Sequence, residues 1–215
     1  MILKELIDIL CVGEVLIDFI GHQAGAQINN TRDYHRYLGG SPTNVAMNSS
    51  RLGLKTIIAA TVGDDGFGEY VFKRLKEVGV ITDCVQVHKN KPTSVIFVSR
   101  SEETPEFIPF READYFIEET QISTALLKRT KIFHTTCFAL SKKPAQATIL
   151  SKAEEAYHLG CKLSIDFNYS NKIWDCEIEA LRVIKAYCKF NPLVKISEDD
   201  MFRLFQENRT HQEIF

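Results

Sequence analysis

A tight glycine turn followed by small polar residues is the strongest candidate for chemistry in this sequence. Gly39 and Gly40 have no Cβ, so the backbone can bend sharply there and let another molecule approach closely. Ser41 is a good helix N-cap, Pro42 suits the first helical position, and Asn44 falls in the first turn, where free N–H groups point. Two interpretations stay open at this point: a well-built turn between a strand and a helix, or a binding site for a polar ligand.

Other polar side chains fall where predicted strands end. In an open α/β sheet, ligands bind beyond the carboxyl ends of the strands. The candidates at such ends are Asp18, Gly39, Gly40, Asn44, Asp64, Asp65, Asp166, Asn168, Ser197 and Asp200.

Each of these candidates also has an ordinary structural interpretation. Asp64 or Asp65 fits the N-cap of the next helix, and 197–200 resembles a capping sequence ahead of Met201. The tripeptide 166–168 fits an ordinary exit from a strand into a loop. Asp18 stands among apolar neighbours, and burying a carboxylate without a partner is costly, so it lies at a strand end or is held for a purpose.

The elements that must position these residues alternate along the chain. The hydrophobic pattern predicts strands at 7–12, 15–20, 56–62, 131–134, 162–166 and 193–196, and helices at 42–52, 67–78, 122–128, 144–159, 177–189 and 198–206. Two further short strands, 94–100 and 106–110, are joined by an acidic turn at 102–105. Repeated βα units predict an α/β fold with a mostly parallel sheet, helices on both faces and a small accessory sheet.

Composition excludes several classes of function. The 215 residues carry 26 Lys and Arg against 28 Asp and Glu, a net charge of −2, and the basic residues are scattered, which argues against a nucleic-acid partner. No apolar run is long enough for a membrane span or a signal segment. The six cysteines form no C-x-x-C pair, which favours reduced thiols of a cytoplasmic protein over zinc ligands. Phosphate-loop, G-x-S-x-G and H-E-x-x-H motifs are absent from the sequence.

A family resemblance follows from fixed spacing. The run G-G-S-P-T-N-V-A at 39–46, followed by Gly53 and Gly63, resembles the N-terminal signature of the ribokinase-like carbohydrate kinases, the phosphofructokinase-B family. The fructokinase and 2-keto-3-deoxygluconate kinase branch is the most similar, through G-E-V-L-I-D at 13–18, V-G-D-D-G-F-G at 62–68, F-R-E-A-D at 110–114 and K-I-S-E at 195–198. The resemblance extends from about residue 7 to about residue 206.

The resemblance implies ATP- and Mg²⁺-dependent phosphorylation of a sugar hydroxymethyl group, with a small-molecule sugar as the partner. It implies that sugar-contacting residues include Asp18, Gly39, Gly40, Asn44, Asp166 and Asn168. A carboxylate accepts hydrogen bonds from two hydroxyls, and an amide both donates and accepts. The resemblance also puts Arg111 against a substrate oxygen or carboxylate, and Ser197 and Asp200 near the Mg²⁺ and the nucleotide phosphates. The segments 14–38 and 92–112 correspond to a β lid that closes on the sugar and often forms a homodimer contact.

Two departures from the branch bear on the substrate and the metal. Where the branch often has D-P-N-x-R-x-x-L-W, residues 166–174 are D-F-N-Y-S-N-K-I-W, so Ser170 replaces the arginine and weakens the case for a sugar acid held at that point. Ser197 and Asp200 replace the asparagine and glutamate of the wider family's magnesium motif, which is a milder change.

The larger departure is a missing motif. The family deprotonates the sugar with an aspartate in a C-terminal G-A-G-D sequence, whose glycine amides also stabilise the transferred phosphoryl group. Here the last glycine is Gly160, and the capping sequence at 210–213 is followed by only two residues. We therefore expect 1–215 to be an incomplete, C-terminally truncated domain that retains sugar contacts but no catalytic base. The alternatives are an inactive fragment of a fructokinase-like enzyme, a non-catalytic sugar-binding or oligomerising remnant, and a poorly folded fragment.

Overall fold

A computed structural model describes residues 5–101 and 106–205 of the chain, so the predicted acidic turn at 102–105 and the predicted helix start at 210–213 lie outside the described residues. The strands within those ranges are β1 (Ile7–Val12), β2 (Leu16–Gly21), β3 (Tyr34–Gly39), β4 (Thr56–Gly63), β5 (Ile81–His88), β6 (Val95–Val98), β7 (Phe107–Phe110), β8 (Thr130–Thr136), β9 (Lys162–Asp166) and β10 (Leu193–Lys195). The α-helices are α1 (Ser41–Arg51), α2 (Gly66–Glu77), α3 (Thr124–Leu127), α4 (Ala145–His158), α5 (Glu177–Cys188) and α6 (Glu198–Phe205).

The larger sheet has six strands in the order β10-β9-β8-β1-β4-β5, and all its pairings are parallel. Helices cover both of its faces. Along β1, Leu10 packs into one core with α4 and α5, whereas Ile9 and Cys11 pack into another with α1 and α2. A strand buried on both faces is apolar throughout, which explains why its sequence shows no alternation. The predicted α/β fold is confirmed.

The second sheet has four strands in the order β3-β2-β6-β7. Its two faces carry different chemistry because side chains alternate along each strand. Asp18 and Ile96 face a cleft beside the larger sheet, whereas Phe19 stacks on Phe97 with ring centroids 5.0 Å apart and meets Phe67 of α2 edge-on at 5.7 Å. That this sheet acts as a lid or a dimer contact stays a prediction.

Two local predictions are corrected by the structure. Helix α1 begins at Ser41, with Gly40 at the N-cap, so Ser41 is not the capping residue. The serine hydroxyl donates instead to a carboxylate 125 residues away, Asp166. The strand β5 was not predicted, and it extends the larger sheet beyond β4. Asp65 is confirmed as the N-cap of α2, since its Oδ1 accepts from the backbone N–H groups of Phe67 and Gly68 at 3.0 and 2.9 Å.

Among the described residues, no helix combines the length and the apolar character needed to cross a membrane.

Candidate functional site

The carboxyl ends of the parallel strands bring several predicted site residues to one edge of the larger sheet. Glu14 follows β1, Asp166 ends β9 and Ser197 follows β10. Helix α1 begins at the same edge. The hydroxyl of Ser41, its first residue, donates to Asp166 Oδ2 at 2.7 Å. Three segments that are distant in sequence, at Glu14, Ser41 and Asp166, therefore meet at the turn that opens α1.

Glu14 holds this turn in place by accepting hydrogen bonds with its side chain and its backbone carbonyl. The residue is only 2% exposed. Its Oε1 accepts from the backbone N–H of Ser41 at 3.2 Å, and its Oε2 accepts from the Thr136 hydroxyl at 2.8 Å. Its backbone carbonyl accepts from the Thr43 hydroxyl at 3.0 Å. Burial raises the pKa of Glu14 to about 7. Glu14 was not predicted as a site residue, although the sequence does show a carboxylate directly after a buried strand.

The two turn glycines are required by close contacts. Gly40 has φ = 102°, and a Cβ there would lie 2.3 Å from the Glu14 carbonyl oxygen. A Cβ on Gly39 would lie 2.2 Å from Asp18 Oδ2. The Asp18 carboxylate therefore lies directly against the backbone of the turn, a position that only glycine permits.

A cleft of about 290 Å³ lies between the second sheet and this edge of the larger sheet. The residues around it include Asp18, Phe107, Phe138, Asn168, Ile173 and Asp200. Three of the predicted site residues, Asp18, Asn168 and Asp200, are thus brought together. Burial raises the pKa of Asp18 to about 6, and none of the residues in 5–101 and 106–205 donates a hydrogen bond to its carboxylate. This carboxylate can accept hydrogen bonds from the hydroxyl groups of a ligand.

Asn168 borders the cleft, whereas Asp166, at the end of β9, is not among the residues that line it. Asp166 Oδ1 pairs with the Lys195 ammonium at 2.8 Å, while Oδ2 accepts from Ser41. Asn168 Oδ1 accepts from the backbone N–H of Phe138 at 3.1 Å. Asp166 therefore positions the start of α1, and Asn168 positions the loop after β8.

Ser197 and Asp200 form a reciprocal cap at the start of α6. The Ser197 hydroxyl accepts from the Asp200 backbone N–H at 3.1 Å and donates to Asp200 Oδ2 at 2.6 Å, which also accepts from the Ser197 backbone N–H at 3.2 Å. Lys195 Nζ lies 3.9 Å from the same oxygen. The capping interpretation is thereby confirmed, and a role near Mg²⁺ and nucleotide phosphates stays a prediction.

Arg111 is not among the residues around the Asp18 cleft. Its Nε and Nη2 donate to Asp114 Oδ2 at 2.9 and 2.6 Å, and its Nη1 donates to the Phe138 carbonyl at 3.3 Å and to the Ser141 hydroxyl. The guanidinium also stacks on the Phe138 ring at 4.0 Å. These protein groups engage the guanidinium, and a contact of Arg111 with a substrate stays a prediction. Asn44 lies exposed in the first turn of α1, beside the glycines but outside the residues that line the cleft.

The buried Glu14 makes stability depend on pH. Its folded-state pKa of about 7 exceeds its ordinary value of 4.5, so between these values the folded state binds more protons than the unfolded state. The free energy of unfolding should therefore fall as pH rises through this window, by roughly 3 kcal/mol. Glu14→Gln should remove most of this dependence and leave the smaller part that Asp18 contributes below about pH 6, as urea unfolding at about pH 5 and about pH 8 would measure. Glu154→Gln, at an exposed site on α4, is the control, and equal pH dependence in Glu14→Gln and the parent would contradict the assignment.

A parallel α/β sheet, an accessory four-stranded sheet and a polar cleft at the strand carboxyl ends define a ribokinase-like fold. Residues 6–214 match the family model described as pfkB family carbohydrate kinase. The chain belongs to this family of carbohydrate kinases.

Individual relatives agree with the family match. The chain is 32% identical over 207 residues to an ATP-dependent 6-phosphofructokinase of Thermoanaerobacterium thermosaccharolyticum, a match that covers 96% of this chain and 64% of the relative. Among solved structures, the fructokinase of Halothermothrix orenii superposes with a TM-score of 0.87 at 32% identity, over 97% of this chain and 74% of that one. A sugar kinase of Pyrococcus horikoshii in complex with ATP superposes with a TM-score of 0.85 at 28% identity, over 92% and 66%. The chain thus spans a little under two thirds of the length of the first relative.

Proposed function

We propose that the protein transfers a phosphoryl group from ATP to the hydroxymethyl group of a sugar of the fructose class, and that the Asp18 cleft holds the sugar. The observation that carries this proposal is the Asp18 carboxylate, which is half-buried, unpaired among the described residues and pressed against Gly39 in a cleft that it shares with Asn168. The names of the relatives support the substrate class, since they include a fructokinase and a 6-phosphofructokinase.

Each residue at the turn has a defined task in this proposal. The Asp18 carboxylate accepts hydrogen bonds from two sugar hydroxyls, and the Asn44 amide donates to one hydroxyl and accepts from another. Gly39 and Gly40 let the sugar approach the backbone closely. Asn168 contributes from the opposite side of the cleft, while Asp166 acts indirectly by holding Ser41 at the start of α1.

The second sheet supplies one wall of the cleft, and we assign it the role of a lid. Asp18 comes from β2 and Phe107 from β7, so any change in the angle between the two sheets changes the width of the cleft. Four short segments, 13–15, Gly40, 89–94 and 111–112, connect this sheet to the rest of the chain. Closure over a bound sugar would exclude water from its hydroxyl groups.

ATP and Mg²⁺ belong to the same proposal. The ATP complex of the Pyrococcus horikoshii sugar kinase supports ATP as the phosphoryl donor. Bound Mg²⁺ would neutralise charge on the phosphoryl group during transfer. Within the described residues, no group of three or more His, Cys, Asp and Glu side chains could hold a metal ion, and the Asp200 carboxylate is already engaged by Ser197. We place Ser197 and Asp200 near the metal and the phosphates, as the family resemblance implies, and not as direct metal ligands.

The 215 residues contain no G-A-G-D sequence, so we propose that by themselves they bind sugar without transferring a phosphoryl group. Titration calorimetry with D-fructose and with fructose 6-phosphate should give saturable binding to at least one of the two sugars. A coupled assay with ATP and either sugar should show no turnover above the enzyme-free rate. ATP-dependent turnover would overturn the claim that catalysis needs a G-A-G-D motif, and failure of both sugars to bind would overturn the sugar site.

A further inference from the structure

A second cleft, of about 310 Å³, adjoins the Asp18 cleft. Ile173 borders both clefts. The Lys172 ammonium, which belongs to the second cleft, lies 3.4 Å from the carbonyl oxygen of Phe107, a residue that borders the first. The two clefts are therefore neighbours, at the junction of β7 with the loop after β9.

The charges around the second cleft are unevenly compensated. Its cationic residues are Arg111, Lys142 and Lys172, and its anionic residues are Glu112 and Asp175. Arg111 is neutralised by Asp114, which is itself buried at 1% exposure. Glu112 is neutralised by Lys91 at 3.0 Å. Among the residues around this cleft, the exposed Asp175 is the remaining carboxylate beside the two lysines.

The two lysine ammonium groups are held near the cleft by aromatic rings. Lys142 Nζ lies 5.3 Å from the centre of the Tyr115 ring, and Lys172 Nζ lies 5.0 Å from the centre of the Phe107 ring. Neither lysine forms an ion pair with any residue that the structure describes. Contacts with an aromatic face leave an ammonium group positively charged and able to donate hydrogen bonds to an anion.

We propose that this second cleft binds the anionic group, a phosphate or a carboxylate, of a sugar whose hydroxyl groups lie against Asp18. The inference rests on the proposed function and narrows its substrate class to anionic sugars. Arg111, to which the family resemblance gives a substrate contact, already donates to Asp114, Phe138 and Ser141. Ser170 stands where the branch often has an arginine. Arg111 and Ser170 therefore offer no free positive charge to a ligand at this cleft, whereas Lys142 and Lys172 do.

The test compares neutral and anionic sugars by titration calorimetry on the 215-residue chain. D-fructose is the neutral ligand, fructose 6-phosphate carries a phosphate, and 2-keto-3-deoxygluconate carries a carboxylate. At least one anionic sugar should bind roughly tenfold more tightly than fructose, the effect of one or two charge-assisted hydrogen bonds at a partly exposed site. The preferred anion identifies whether phosphate or carboxylate is recognised, and added salt should reduce the preference.

Variants separate the second cleft from general electrostatic attraction. The double variant Lys142→Gln/Lys172→Gln should lose the preference for the anionic sugar and keep its affinity for fructose within about twofold. The matched control is Lys128→Gln/Lys162→Gln, which removes the same charge from exposed sites at the amino ends of β8 and β9 and should keep the preference.

The outcomes distinguish this inference from the proposed function. If fructose and both anionic sugars bind equally well, the anion site is overturned while the sugar site stands. Equal loss of the preference in the control variant would also overturn it, since overall charge would then explain the effect. If no sugar binds, the proposed function fails first and this inference fails with it.

Discussion

Replacing Asp18 with asparagine is expected to weaken sugar binding by about a hundredfold. A hydrogen bond to a charged group contributes roughly 1.5 to 3 kcal/mol, and the carboxylate can accept from two hydroxyls, whereas the amide offers one acceptor and introduces two donors. Titration calorimetry with the tightest-binding sugar gives the change directly. Asp83→Asn is the matched control, because Asp83 is exposed on β5. An Asp18→Asn chain that binds as tightly as the parent would remove Asp18 from the site.

The same variant has a pH signature that separates binding from folding. The pKa of Asp18 is raised by burial from 3.8 to about 6. Sugar affinity should therefore rise as pH rises through about 6 and the acceptor ionises, and it should stay flat in Asp18→Asn. The free energy of unfolding should change in the opposite direction, falling between about pH 4 and pH 6, where the unfolded state has given up the proton that the folded state still holds. At neutral pH the variant should consequently be at least as stable as the parent while it binds less sugar. Reduced stability together with reduced binding would indicate structural damage.

The turn and the aspartate were predictable because they depend on local chemistry. Gly39, Gly40 and Asn44 lie within six residues of one another, and their spacing alone favoured a strand, a tight turn and a helix start. Asp18 was recognisable as a carboxylate inside an apolar strand. The structure then put Gly39 in contact with Asp18, a contact set by the pairing of β2 with β3.

The role of Ser41 could not be predicted from the turn itself. Local propensity favours serine over glycine at an N-cap. The prediction therefore put the N-cap at Ser41, one residue after its observed position at Gly40. Two hydrogen-bond partners outside the turn determine the role of Ser41. The Ser41 hydroxyl is taken by Asp166, and its backbone N–H is taken by the Glu14 carboxylate, so the serine satisfies groups on two other segments instead of capping its own helix.

The second cleft and strand β5 were missed for related reasons. The cleft is assembled from residues near 110, 142 and 173, and their proximity follows from how β7, β8 and β9 pack together. Strand β5 is only half-buried, with exposed Asp83, Gln86 and Val87. Its extended backbone is fixed by pairing with β4, and its own sequence carries little periodicity. Both features depend on tertiary contacts that a single sequence does not display.

Gly40→Ala should produce the largest loss of stability, about 3 kcal/mol or more. Two costs combine: a backbone with φ = 102°, which side-chain-bearing residues rarely adopt, and a Cβ placed 2.3 Å from the Glu14 carbonyl oxygen. That carbonyl accepts from the Thr43 hydroxyl, and the Glu14 side chain is held by Thr136, so neither partner can retreat without losing a buried hydrogen bond.

The other end of the same helix provides a matched control. Gly53 has φ = 86°, and a Cβ there would meet nothing within 4 Å, so Gly53→Ala should cost only about 1 kcal/mol of backbone strain. Urea unfolding followed by the fluorescence of Trp174, the single tryptophan, which is 5% exposed, measures both variants. Equal losses of stability in Gly40→Ala and Gly53→Ala would show that the Glu14 carbonyl does not constrain the turn. If Gly40→Ala instead loses stability and sugar binding while Gly53→Ala keeps its sugar binding, the turn that opens α1 is both a folding constraint and part of the sugar site.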